Sequence, residues 1–474
     1  MKPIDERLLE DAATYIDRWV AYRQRTLAVP GVAIALGFRG RVVLSRAYGM
    51  ADLEREVPLT TEHVFRIASH SKTFTATAVM RLVEEGRLSL DDRAGDRLPW
   101  LPAERGQLGR VTIRQLLSHS AGVIRDGEEG GFWQLERDFP EADELREVLA
   151  HTPPVFPENE RFKYSNFGYS LLGMVIEEAA GQPYNAYVRE QIVDRLGLGS
   201  TGPELDDAAR LRLATGYSAD HYGLPRLPFD HLDTGAMSPA TGFYSTAEDL
   251  CRYGAAHFLE NEELLTDESK REMQREHWKA EGVPISYGLG LDIVKIGERR
   301  LVGHGGGFPG FITSTKIDPR EQLVAVALTN SSDGPAGDLV TGMVAIVNRA
   351  IEAEPADDPG GLDRFTGRFW ALGGATDVAR FGGQLLAMAP ELPAPLDNAQ
   401  LLEVVGADEL RIAEAPGFAS PGERVRYVFA PDGSVERVQW AAATGYPWET
   451  FESTVLAALK ETRRGPRRER LSRA

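Results

Sequence analysis

Apolar and polar positions alternate along this chain in two registers, one helical and one strand-like. Leu8, Leu9, Ala12, Ile16, Trp19 and Val20 recur at helical spacing and predict an opening amphipathic helix. Val32–Phe38 and Val42–Tyr48 are apolar runs separated by Arg39-Gly40-Arg41, which predicts a β-hairpin. From Thr73 the residues Phe74, Ala78, Val79, Leu82 and Val83 make the buried stripe of a helix that stops near Gly86. Val111–His119 reads as a short helix running into a Ser120-Ala121-Gly122 break, and Ala142–Ala150 as another. The mixed acidic stretch 125–160 is expected to wall a cleft. Leu171–Ala180 is a strongly periodic helix with Gly181 as its cap. Ile312–Ile317 alternates, turns at Asp318-Pro319-Arg320 and leads into the apolar strand Leu323–Leu328.

Past residue 350 the pattern changes. Ala353–Gly361 is rich in Pro, Gly and acids and reads as a linker. Gln384–Met388, Glu409–Ile412 and Arg424–Phe429 are short alternating runs, and Pro431-Asp432-Gly433-Ser434 turns the chain into Val435–Trp440. The expected organisation is an α/β (α+β) domain over 1–352, a linker over 353–362, an antiparallel β domain over 363–455 and a basic, disordered tail over 456–474.

Three short motifs carry candidate chemistry. Ser69 and Lys72 stand three residues apart at a helix start, so they share a face. A serine attacks a carbonyl only when a neighbour takes its proton, and a lysine can do so only as a neutral amine. The positive end of the helix opposes the ammonium, and the Ser69 N–H there can hold an oxyanion. No other lysine has a serine three residues before it, although a solvated helix lysine would produce the same spacing. The second motif is Tyr164-Ser165-Asn166. A phenol there can relay a proton, and the Asn166 amide can donate to a substrate carbonyl and orient the lysine. The plainer alternative is a turn tyrosine followed by an Asn cap. The third is His304-Gly305-Gly306. Nine His and 48 Gly predict about 0.9 His-x-Gly matches by chance, and His221-Tyr222-Gly223 is a second one. Position favours His304, which precedes a hairpin and a run of small residues that lets a substrate approach the backbone.

A net charge of −18 argues against a nucleic-acid or anionic-membrane surface, apart from the terminal Arg463, Arg464, Arg467, Arg468, Arg470 and Arg473. One cysteine, Cys251, rules out an intrachain disulfide. Residues 1–7 lack the apolar core of a signal peptide, and no apolar run approaches the ~18 residues of a membrane span. A cytoplasmic location is therefore expected. The nine histidines are scattered, so no metal and no cofactor is expected.

Taken together, Phe65–Lys72, Tyr164–Asn166 and Gly303–Phe311 resemble the motifs of the serine β-lactamase-like, penicillin-binding-protein-like hydrolases. That group includes class C β-lactamases, D-alanyl-D-alanine carboxypeptidases, D-aminopeptidases and carboxylesterases. The resemblance extends over about residues 5–350 and takes in Leu116–Gly122 and Gly242–Leu250. It implies Ser69 as nucleophile, Lys72 as base, Tyr164 as relay and Asn166 as substrate-amide ligand. His304 and Gly306 would line the strand edge, and the backbone N–H groups of Ser69 and Gly307 would form the oxyanion hole. It further implies a lipocalin-like C-terminal domain. Penicillin-recognising members often carry lysine where this chain has His304, and a neutral imidazole grips a carboxylate less strongly. The expected function is cleavage of small esters or D-amino-acid amides or peptides, with a β-lactamase or carboxypeptidase as the alternative. If the pKa of His304 is ordinary, anionic substrates should bind better below about pH 6. A non-catalytic binding protein on the same fold is the alternative of another class. An α/β-hydrolase would need Gly-x-Ser-x-Gly, which is absent. The expected partner is a small-molecule ester, amide or peptide substrate, and a homo-oligomer is left open.

Overall fold

The structure, a computed structural model, describes residues 2–464 except 102–107, 222, 358–360, 417–419 and 441–442. The chain divides into two compact units, Gln24–Thr341 and Lys2–Arg23 with Gly342–Ala474.

The first unit is built on a nine-stranded antiparallel sheet. Its order across the sheet is Val57–Pro58, Arg41–Asp52, Gly31–Phe38, Leu323–Thr329, Phe311–Asp318, Arg299–Phe308, Asp292–Ile296, Ser286–Tyr287 and Trp278–Lys279. The two apolar runs Gly31–Phe38 and Leu323–Thr329 are buried along their whole length and pair with each other inside the sheet, Val32 opposite Thr329 and Phe38 opposite Leu323. Continuous apolar character fits strands covered on both faces. Gly310 sits in the turn between Phe308 and Phe311 with φ +84°, a value that glycine adopts without strain. That turn fixes the register that sets His304 opposite Thr315 and Gly306 opposite Thr313.

Helix Ser71–Glu84 packs against Asn166–Ala180 and the short helix Ser238–Thr241. Helix Asn166–Ala180 starts five residues before its apolar periodicity at Leu171. The cap is Ser165, whose Oγ accepts the Gly168 N–H at 2.8 Å, and not Asn166. Gly181 ends it with φ +70°.

In the second unit eight strands from Gly367–Ala371 to Ala443–Gly445 follow one another in chain order. Trp370 and Tyr446 exchange N–H···O bonds of 2.7 and 2.9 Å, which brings the last strand back to the first and nearly closes a barrel. Phe369, Val378, Leu385, Leu402, Leu410, Val425 and Val438 fill it. The opening helix belongs to this unit, although its place in the chain suggested the first domain. Its Tyr15 ring meets Phe381 edge-on at 6.0 Å, and Arg18 donates to the Val378 carbonyl at 3.0 Å. Periodicity marks a helix's apolar face without saying what covers it. Where a disordered tail was expected, Ala457–Arg464 is helical, extending a turn that begins at Trp448 through helix-favouring Ala, Leu, Lys and Glu. The tail arginines from 467 on, part of the linker (358–360) and Tyr222 of the second His-x-Gly match lie outside the described residues.

Candidate active site

The turn carrying Ser69 is tied down before the helix begins. Phe65 and Arg66 pair with Ser245 and Tyr244, and the Ile67 N–H binds the Phe243 carbonyl at 2.9 Å. Ala68 then takes φ +47°, a left-handed value disfavoured for any residue with a Cβ. Ser69 follows in a 3₁₀ turn, Ala68–His70, that runs into Ser71–Glu84, so it stands at a helix start. Its side chain is partly open while its neighbours are buried. Ser71 is sealed, because its Oγ donates to Ala68 O at 2.6 Å and accepts the Phe243 N–H at 3.0 Å.

Lys72 is wholly buried. Its Nζ lies 3.1 Å from Ser69 Oγ, 2.7 Å from Asn166 Oδ1 and 2.8 Å from the Ala240 carbonyl. Two of these partners are pure acceptors, so in a neutral amine they would take its two N–H groups and leave its lone pair for the Ser69 hydroxyl. Desolvation drives the Lys72 pKa well below its ordinary value, Asp126 opposes that shift, and Arg125 adds to it.

Asn166 is held from behind. Its Nδ2 donates to Asp126 Oδ1 at 2.6 Å, which turns Oδ1 toward Lys72, and its backbone N–H binds Arg125 O at 2.9 Å. One of its two amide hydrogens is thus engaged within the protein. The Tyr164 ring lies 4.8 Å from Lys72 Nζ, and its hydroxyl is within hydrogen-bond reach of Ser69. Burial raises the Tyr164 pKa and the Ser69 contact lowers it less, so the phenol keeps its proton.

The strand Arg299–Phe308 closes the other side. A Cβ on Gly306 would stand 2.1 Å from the Ile67 carbonyl oxygen, so only glycine lets this strand come so close to the Ser69 turn. Gly307 is exposed. His70 docks the turn on the next strand, its Nδ1 contacting Ile67 O at 3.0 Å and its Nε2 Thr315 Oγ1 at 2.9 Å.

His304 departs from expectation. It is buried, its Nδ1 faces Gly305 O at 2.6 Å and its Nε2 faces the Tyr287 hydroxyl at 3.0 Å. With the proton on Nδ1, Nε2 accepts from Tyr287. Desolvation lowers its pKa to about 4, with Asp292 opposing and Lys72 and Lys316 reinforcing the shift. The expected gain of charge near pH 6 is therefore overturned, because a buried ring does not keep a surface-like pKa. Lys316 cannot replace the missing cation freely, since its Nζ is bound to both oxygens of Asp292 at 2.6 and 2.7 Å.

The structure thus brings Ser69, Lys72, Tyr164 and Asn166 together and sets Gly306 against the Ser69 turn. It adds Asp126, the Ala240 carbonyl, His70, His119 and Tyr287, which the sequence reading did not single out as site residues. Asp126 shares no short motif with its partners; it lies in the stretch 125–160 that was expected to wall a cleft, but nothing local singled it out. Elsewhere, Glu204, His231 and Asp233 bring ligand atoms within 4.8 Å of one another. Those carboxylates are engaged by Arg66, Thr234 and Arg210. Among the described residues no helix is long and apolar enough to cross a membrane.

The Beta-lactamase family model matches residues 16–346, and the chain belongs to that family. Among curated proteins it is 26% identical over 334 residues to protein flp of Staphylococcus aureus. That match covers 68% of this chain and 64% of flp, less than two thirds of the relative's length. Among solved structures, the octameric penicillin-binding protein homologue from Pyrococcus abyssi superposes with TM-score 0.64 at 23% identity, covering 91% of this chain and 99% of the other. The D-amino acid amidase from Ochrobactrum anthropi SV3, solved with L-phenylalanine amide, gives 0.60 at 27%, covering 73% and 98%.

Proposed function

We propose that the protein hydrolyses small esters or D-amino-acid amides or peptides through an acyl-enzyme on Ser69. The observation that carries this reading is the bonding of Lys72 Nζ, with an amide oxygen and a carbonyl taking its hydrogens and the Ser69 hydroxyl left for its lone pair. Lys72 removes the Ser69 proton as Oγ attacks the substrate carbonyl. The Ser69 and Gly307 N–H groups hold the oxyanion. Tyr164 passes a proton on to the leaving group, and water then hydrolyses the ester on Ser69 with the same groups.

The preference for substrates without a carboxylate follows from His304, which is neutral, buried and bonded at both nitrogens, and from Lys316, which is paired with Asp292. A β-lactam or a D-Ala-D-Ala peptide would have to bind its carboxylate without either cation. The likeness to a D-amino acid amidase supports the amide branch. In this reading the chemistry belongs to the first unit, and the barrel is a packing or oligomerisation module of a cytoplasmic enzyme. The test is a panel of short-chain p-nitrophenyl esters, D-amino-acid amides and a chromogenic cephalosporin, followed by intact-protein mass spectrometry. Fast ester or amide turnover with an acyl adduct on Ser69 is expected. Rapid cephalosporin hydrolysis at pH 8 with no ester or amide turnover would overturn the preference.

A further inference from the structure

The segment Lys163-Tyr164-Ser165 carries the proposed proton relay, and a single residue grips it on both sides. The His119 carbonyl accepts the Lys163 N–H at 2.7 Å, and the His119 Nδ1 accepts the Ser165 N–H at 3.2 Å. Between those two bonds the imidazole packs on the Tyr164 ring, 4.3 Å between centroids. The far side of His119 meets Tyr287 at 4.8 Å and Tyr169 at 5.0 Å, and Tyr169 is anchored by its hydroxyl on Leu117 O at 2.6 Å. The backbone of His119 is left-handed, φ +59°, a conformation in which its carbonyl and its ring can serve the same segment.

We infer that His119 is a positioning residue for Tyr164: its carbonyl, its Nδ1 and its ring together hold Lys163-Tyr164-Ser165 so that the phenol stays on Ser69. This rests on the proposed acyl-enzyme chemistry, in which Tyr164 relays a proton. The grip requires a neutral imidazole, because Nδ1 must present a lone pair to the Ser165 N–H. Every charged or titratable group facing the ring supports that state or leaves it unchanged. Burial and Arg125 disfavour a second proton, as would any charge on Lys72 or His304, and Tyr164, Tyr169 and Tyr287 are neutral phenols with raised pKa values. Nε2 therefore carries the ring proton, and it finds no acceptor among the described residues.

Two substitutions separate the parts of this device. His119→Asn keeps an acceptor near the position of Nδ1 and tolerates the left-handed backbone, whereas His119→Gly keeps the backbone alone. Hydrogen–deuterium exchange of the peptide containing Lys163–Ser165 reads the grip directly, and kcat and KM for a neutral p-nitrophenyl ester read its consequence. In His119→Gly the Ser165 amide should exchange faster, and kcat should fall on the order of 10–100-fold with KM within about threefold, the scale of a displaced catalytic group. His119→Asn should keep the amide protected and recover most of kcat. In a Tyr164→Phe background His119→Gly should cost less than about threefold more, because the group it positions is already gone. Unchanged exchange at Ser165 in His119→Gly, full additivity with Tyr164→Phe, or an Asn variant as poor as the Gly variant would each overturn the inference. If the Gly variant does not fold, faster Ser165 exchange in His119→Asn overturns it and wild-type protection with near wild-type kcat supports it. A Tyr164→Phe enzyme with full turnover would refute the relay, while the exchange result would still decide whether His119 holds the segment.

Discussion

Replacing Asp126 by Asn separates charge from hydrogen bonding in the group that governs Lys72. Asp126 reaches the lysine through one amide: its Oδ1 accepts from Asn166 Nδ2 at 2.6 Å, and Asn166 Oδ1 accepts from Lys72 Nζ at 2.7 Å. With an amide spanning those two contacts the charges stand on the order of 7 Å apart, which at an effective dielectric of about 20 corresponds to about 2.4 kcal/mol. That is a ceiling of roughly 1.7 pKa units, since one unit is about 1.4 kcal/mol. Arg125, whose Nε lies 3.2 Å from Asp126 Oδ2 and whose side chain is 63% exposed, brings ion and solvent screening to the site. A shift of roughly one unit is the expectation. The sign follows from the chemistry. A carboxylate stabilises the ammonium, so removing it lowers the Lys72 pKa, and the neutral base persists to lower pH. The Asn side-chain oxygen can still accept from Asn166, so the geometry is kept. The assay is the pH profile of kcat/KM for a neutral p-nitrophenyl ester at fixed ionic strength, whose acid limb reports the free enzyme. Asp126→Asn should move that limb down by roughly one unit with the plateau within a fewfold, whereas Asp126→Ala should also lower the plateau by freeing Asn166 to turn. An acid limb that stays in place or moves up in an active Asp126→Asn enzyme would refute Lys72 as the titrating base.

Four other outcomes are expected. Ser69→Ala should reduce turnover by on the order of 10³ or more, and a fluorophosphonate adduct should map to Ser69 by peptide mass spectrometry and not to the sealed Ser71. Lys72→Arg should be nearly as inactive as Lys72→Ala, because a guanidinium keeps its proton at any usable pH; an active arginine variant would make Lys72 an electrostatic support only. With His304 at about pKa 4, the ratio of kcat/KM for an anionic over a neutral substrate should not change through His304 between pH 8 and pH 5.5, and His304→Lys should raise that ratio, a buried cation contributing ~1–3 kcal/mol to an anion. Gly306→Ala sets a Cβ at 2.1 Å from Ile67 O and should cost about 1–3 kcal/mol in thermal unfolding, with a loss of turnover as the strand and the Ser69 turn move apart.

The sequence by itself determined the elements whose signal is local. The stripe Phe74, Ala78, Val79, Leu82 gave a helix with Ser69 at its start, and the fully apolar Leu323–Leu328 gave a central strand. The turn Asp318-Pro319-Arg320 between Ile312–Ile317 and Leu323–Leu328 marked one hairpin, whereas the turn at Gly310 that sets His304 and Gly306 in register came from the structure. Ser69, Lys72, Tyr164 and Asn166 were legible because each lies in a short motif whose spacing has a chemical reason. Only the tertiary structure decided what surrounds them. Asp126 and Ala240 meet Asn166 and Lys72 from parts of the chain tens of residues away, and no local pattern encodes such a meeting. The neutral His304 was read correctly, but the pH at which it would charge was not, for the same reason. A pKa depends on the water a fold excludes and on partners such as Asp292 on the next strand and Tyr287 on the one beyond it. The opening helix shows the limit once more: its apolar face is written in the sequence, but that Phe381 and Val378 cover it is a property of the folded chain.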